Sequence, residues 1–144
     1  MTATPLTSTD LYLRVQHFYA RQMQALDEGR FGEYAATFTG DGTFQHTPGT
    51  EPAVGPERIE AELHRFHERF RDDPVRRRHY FNQIVLDELP DGSVRSTVYA
   101  LIVRVRPGDR VPEVWPSCVV HDILEVNDDR ILLRSRVIGY DHLE

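Results

Sequence analysis

The chain has 144 residues, 40% of them hydrophobic and 28% charged, with a formal net charge of −6. This length suits one domain with a proper core, and the acidic balance argues against a nucleic-acid partner, which needs a basic face. A single cysteine, Cys118, excludes an internal disulfide and suits a reducing cytosol. No apolar run is long enough for a bilayer, and MTATPLTSTD lacks the regions of a signal peptide, so a soluble intracellular protein is expected.

Residues 1–8 are small and polar and read as a frayed start. Ser8, Thr9 or Asp10 then caps a helix whose Leu11, Val15, Phe18, Tyr19, Met23 and Leu26 fall on one stripe. Asp27 continues an edge of that stripe, four residues after Met23, and Gly29 ends the helix. A shorter helix is expected over RFGEYAATF, with Phe31, Tyr34, Ala35 and Phe38 on one side. TGDGTFQHTPG at 39–49 reads as turn, short strand, turn, with Phe44 and His46 on one strand face. Gly55-Pro56 opens a third helix, in which Ile59, Leu63, Phe66 and Phe70 form the buried stripe and Asp72-Asp73-Pro74 the end.

From residue 76 onward the chain is strand-rich. His79 to Leu86 carries aromatic, β-branched and amide side chains, and Asp91-Gly92 signals a hairpin to the strand at 94–106. Arg76, Arg77 and Arg78, beside Asp72 and Asp73, read as a solvated loop. Pro107-Gly108-Asp109 turns the chain into VPEVWPSCVVHDILEV, whose Pro112 and Pro116 require an edge, a bulge or a loop in its first half. Alternation there places Cys118, Val120 and Asp122 on one face. Asn127-Asp128-Asp129 leads to a last strand at 130–141. Helices followed by a strand meander give an α+β class, with a curved antiparallel sheet and a pocket beneath the N-terminal helices.

This order, with FYARQMQALDEGRF, TGDGTF, RHYFNQIVL and HDILEVNDDRILLRSRV, resembles the SnoaL-like branch of the NTF2-like superfamily over about residues 10–140. The resemblance implies a cone-shaped α+β barrel, a homodimer through its sheet, and a small aromatic polyketide substrate without any cofactor. The superfamily contains dehydratases, isomerases, aldol cyclases and non-catalytic binders. Its scytalone dehydratase branch pairs an aspartate near the end of the first helix with a histidine opening a long strand, and Asp27 and His79 fall at the matching places. A further histidine of that branch falls near Arg104, and its helix tyrosine at Leu26, so the pair is kept without its surroundings.

Asp27 and His79 form the first candidate constellation. A carboxylate beside an imidazole orients the ring and yields a base usable near neutral pH, with a structural helix-to-sheet hydrogen bond as the competing reading. Asp122 is the second candidate, as the acid/base of a related cyclase or as the ion-pair partner of Arg104 or Arg136. Tyr19, Tyr34, Phe38, Phe44, Phe81 and Trp115 suit a flat aromatic ligand or a core, His46 a phenolic oxygen or a polar strand end, and Arg104 a carbonyl or phenol. His64, His67 and Glu68 share a helix face, but their charged neighbours favour a solvated surface over a metal site.

Overall fold

The computed structural model describes residues 8–143. The expected frayed start lies outside that range, apart from Ser8. Ser8 caps α1 (Thr9–Asp27) by accepting a hydrogen bond from the Leu11 amide at 3.0 Å. The chain leaves α1 through Gly29, whose φ of +78° is open to glycine at little cost. Then follow α2 (Phe31–Ala35), β1 (Phe38–Gln45), β2 (Ala53–Val54) and α3 (Pro56–Glu68). The remainder is β3 (Arg76–Glu88), β4 (Val94–Val105), β5 (Glu113–Val126), β6 (Ile131–Tyr140) and a 3-10 turn at Asp141–Leu143. Among the described residues no helix is long and apolar enough to cross a membrane.

The six strands form one curved, open sheet in the order β2-β1-β6-β5-β4-β3. The class is α+β, but the sheet is mixed rather than wholly antiparallel, because β1 runs parallel to β6. A parallel neighbour needs a long return path, and almost the whole chain supplies it here. Phe38 belongs to β1, not to the second helix where its spacing predicts it. Between Phe38↔Leu133 and Thr43↔Ser135 the register shifts, and Gly42 fills the crowded bend. A Cβ there would lie 3.0 Å from the Leu133 and Thr39 carbonyl oxygens and from Phe38 Cβ, so any larger residue would have to push the backbone apart by a few tenths of an ångström.

Two more departures shape the cavity side. The arginines 76–78 are not loop but the first residues of β3, paired with Val105, Arg104 and Val103. β3 also carries a bulge between Asn82 and Val85, with Gln83 at φ +57°. One extra residue reverses the alternation, so Arg77, His79 and Phe81 share a face with Ile84 and Leu86. Pro112 precedes β5, and Pro116 sits in a bulge between Leu101↔Ser117 and Val103↔Val114, as the prolines require. Cys118, Val120, Asp122 and Leu124 are buried on one face of β5. Val15, Tyr19 and Met23 of α1 join the core that these strands line with Val98, Ala100 and Leu133.

Candidate active site

Helices α1, α2 and α3 and the inner sheet face enclose a cavity of about 440 Å³. Burying apolar side chains of α1 brings its last residue, Asp27, against the beginning of β3. There Asp27 Oδ1 lies 2.5 Å from His79 Nδ1, and Oδ2 accepts the His79 backbone N–H at 3.1 Å. The carboxylate is thus fixed at both oxygens, and its side chain is only 6% exposed against 17% for His79. His79 lines the cavity while Asp27 stands behind it. With Nδ1 engaged, Nε2 is the ring nitrogen left for a ligand, and it has no hydrogen-bond partner among the described residues.

The inner end of the cavity is built on Arg136, which is 1% exposed. Its Nε and Nη2 each donate to a different oxygen of Asp122 at 2.9 Å. Nη1 donates to the Tyr34 hydroxyl at 3.0 Å, and Nη2 also to Gln22 Oε1 at 2.8 Å. The guanidinium lies 5.3 Å from the centre of the Phe81 ring, which adds a cation–π contact. The Tyr19 hydroxyl donates to Asp122 Oδ2 at 2.6 Å and lies 2.7 Å from Ser96 Oγ. Burial, followed by the Asp122 charge, pushes the Tyr19 phenol well above its ordinary range. Burial also raises Tyr34, so its hydroxyl keeps its proton. That hydroxyl accepts from Arg136 and donates to no acceptor among the described residues, and Tyr34 is one of the residues lining the cavity.

The candidates from the sequence therefore separate. Tyr34, Phe44, His46, Phe81, Arg104 and Trp115 line the cavity together with His79. Tyr19, Phe38 and Asp122 do not. Tyr19 lies one helical turn before Met23, which does reach the wall, and its hydroxyl is spent on Asp122 and Ser96. Phe38 is core, its ring 5.9 Å from Phe44 and 5.6 Å from Tyr34. Asp122 pairs with Arg136, whereas Arg104 pairs with Glu113 through Nη2. Burial lowers His46, with the charges of His79 and His67 acting in the same direction, so its imidazole is held neutral. Cys118 also lines the cavity, but burial pushes its thiol up to about 11 and leaves it a poor nucleophile. On α3, His64 bonds Glu60 and His67 bonds the Leu63 carbonyl oxygen.

Sequence reasoning missed Arg77, Tyr140 and Phe66 as cavity residues and named Arg136 only as an optional partner. Arg77 stands on the face of β3 shared with His79, its guanidinium 4.4 Å from the Phe70 ring centre. The alternation of β3 was a usable signal for it. The Tyr140 hydroxyl donates to the His46 carbonyl oxygen at 2.9 Å, and burial pushes it up to about 12.

A model described as a SnoaL-like domain matches residues 7–137. ActVI-ORFA from Streptomyces coelicolor is 43% identical and superposes with a TM-score of 0.87 over 94% of this chain and 98% of that one. A protein from Catenulispora acidiphila, in complex with S-DNPA, is 47% identical with a TM-score of 0.85, over 94% and 97% of the two chains. Aln2 from a Streptomyces species is 37% identical with a TM-score of 0.86, over 96% of each. Among curated proteins nothing matches this chain.

Proposed function

This chain belongs to the SnoaL-like domain family, and on that premise we propose that it is a cofactor-independent dehydratase acting on an aromatic polyketide intermediate. The observation that carries the reading is His79, held by Asp27 at 2.5 Å and presenting its other ring nitrogen to a largely apolar cavity. Family membership and the likeness to ActVI-ORFA and Aln2 support an accessory role in polyketide biosynthesis. The complex of the Catenulispora acidiphila relative supports a small-molecule ligand.

In this reading neutral His79 donates its Nδ1–H to Asp27 and takes a proton from the carbon next to a substrate carbonyl through Nε2. The Tyr34 hydroxyl, polarised by Arg136, donates to the carbonyl oxygen as negative charge collects there. The imidazolium then returns its proton to the β-hydroxyl, which leaves as water while the carbon–carbon double bond forms. Asp27 positions the ring and stabilises its charged form without touching substrate. Phe44, Phe81 and Trp115 provide apolar walls for a flat ring system.

The test is incubation with 3-hydroxylated pyranonaphthoquinone-type intermediates, followed by mass analysis. The wild type is expected to release one water, and a folded His79→Ala variant to be slower by about 10²–10⁴-fold. Unchanged substrate mass with a new product would instead indicate a cyclase or isomerase. Saturable binding with no product in either protein would indicate a binder. A homodimer is part of the proposal, supported by Tyr80, Tyr99 and Leu101, which stand exposed on β3 and β4 facing away from the cavity. Sedimentation of the wild type as a monomer at micromolar concentration would remove that part.

A further inference from the structure

Gln22 shares the buried side of α1 with Val15, Tyr19, Met23 and Ala25, and is itself 1% exposed. Packing alone would be served by a leucine there, since burying an amide is costly unless each of its groups is paired. Both groups are paired, and the pairs close a ring that meets on Tyr34. Arg136 donates through Nη1 to the Tyr34 hydroxyl at 3.0 Å and through Nη2 to Gln22 Oε1 at 2.8 Å. Gln22 Nε2 donates to Thr37 Oγ1 at 2.7 Å, and Thr37 Oγ1 donates to the Tyr34 carbonyl oxygen at 2.6 Å. All donors run away from Arg136 and toward Tyr34, because a guanidinium has N–H groups and no acceptor. It fixes the amide with its oxygen toward Arg136, which leaves the N–H groups for Thr37 and the Thr37 proton for the Tyr34 backbone. The Tyr34 hydroxyl is therefore an acceptor toward Arg136, and its own proton has no acceptor among the described residues.

Tyr34 and Arg136 both line the cavity, and so do Val120 and Ile138. These last two face each other one inward rung along from the Asp122–Arg136 pair, so the wall next to that pair is apolar. The acceptors of the network are taken: both Asp122 oxygens by Arg136 and Tyr19, and Gln22 Oε1 and the Tyr34 phenolic oxygen by Arg136. A ligand carbonyl oxygen satisfies the Tyr34 proton and brings none of its own. A carbinol hydroxyl accepts that proton too, but carries a second one into surroundings whose acceptors are engaged, and a buried donor left unpaired is costly. We propose that Gln22 is a specificity-determining residue: by fixing the direction of the protons around this ring, it makes the inner end of the cavity select a ligand in its carbonyl form over the corresponding carbinol. Gln22 is not among the cavity-lining residues and acts through Arg136 and Tyr34, as a positioning residue. This selectivity rests on the proposed function only in that the cavity is the ligand site, and it adds the oxidation state of the substrate.

Equilibrium dialysis with 2-acetylnaphthalene and each enantiomer of 1-(2-naphthyl)ethanol tests this, since none is a β-hydroxy ketone and binding is read without turnover. The wild type is expected to bind the ketone at least about tenfold more tightly than either alcohol. Tyr34→Phe should bring the ligands within about threefold of each other. Gln22→Met, similar in size but without strong hydrogen-bonding groups, should lower the preference by about threefold or more. Thr37→Val, at a half-buried position, opens the ring from its other side and should act in the same direction. A second readout is the carbonyl stretch of the bound ketone in infrared difference spectra. It should lie lower in wild type than in Tyr34→Phe, with Gln22→Met between them, an order that a purely structural role of Gln22 would not produce. His79→Ala should leave preference and stretch unchanged whether or not it abolishes turnover, so this selectivity and the dehydratase reading fail separately. Equal wild-type affinities, absence of saturable binding for all three ligands, a preference that survives in folded Tyr34→Phe, or one unchanged in folded Gln22→Met or Thr37→Val would overturn it.

Discussion

Two carboxylates, Asp27 beside the His79 imidazole and Asp122 beside the Arg136 guanidinium, sit where the helices meet the sheet, and they differ in what they leave unfinished. At the inner end, Asp122 and Arg136 are 0% and 1% exposed, and every oxygen and nitrogen between them has a partner. At the β3 end, Asp27 is satisfied by one side chain and one amide, but the imidazole it holds lines the cavity and has one nitrogen without a hydrogen-bond partner among the described residues. A saturated buried network specifies geometry, whereas a half-occupied, oriented group is what proton transfer requires. In the proposed reading Asp122 is architectural and His79 chemical, although the sequence offered Asp122 beside the Asp27–His79 pair for acid/base work.

The sharpest way to break that comparison is to disable each carboxylate separately. Asp122→Ala leaves a guanidinium buried without its charge partner and is expected to cost about 3–5 kcal/mol in urea unfolding, lowering activity only in proportion to lost fold. Asp27→Asn keeps one of the two acceptors at a side chain only 6% exposed and should cost about 1–3 kcal/mol, yet slow turnover of folded protein by roughly a hundredfold. An Asp122→Ala variant that stays as stable as wild type, or an Asp27→Asn variant with full turnover, would erase the distinction.

The two pairs were also unequally legible from sequence. Asp27 and His79 could be located because each belongs to a strongly patterned segment, the α1 stripe and the strand before Asp91-Gly92, and the resemblance placed both at matching positions. Arg136 could not be singled out, since its acceptors Gln22, Tyr34 and Asp122 come from α1, α2 and β5 and only the folded sheet assembles them. Arg77 was hidden in a triple-arginine run that hydropathy reads as solvent-facing, while the stacking on Phe70 that holds it inward is a long-range contact. Phe38 shows the local limit: its helical spacing after Tyr34 is genuine, but pairing with Leu133 draws the residue into β1. The reversal of alternation at Gln83 likewise depends on a bulge that no alternating pattern announces.

The smallest expected effect concerns His46, which shares the cavity with His79 but lacks a carboxylate behind it. Burial holds it below its ordinary range, helped by the charges of His79 and His67. Its ring neighbours are Phe44, Phe66 and Tyr140, and the charge of Glu62 opposes the shift without overcoming it. As pH falls below about 6.5, the unfolded chain takes up a proton that native His46 still refuses, so the unfolded state binds more protons and stability declines. His67 is shifted the same way, with burial the main cause, and adds to the decline. Urea unfolding between pH 7.5 and 5.5 should therefore show a loss on acidification that His46→Gln reduces by a part. An unchanged slope in the variant would mean that His46 gains a proton as readily as in the unfolded chain.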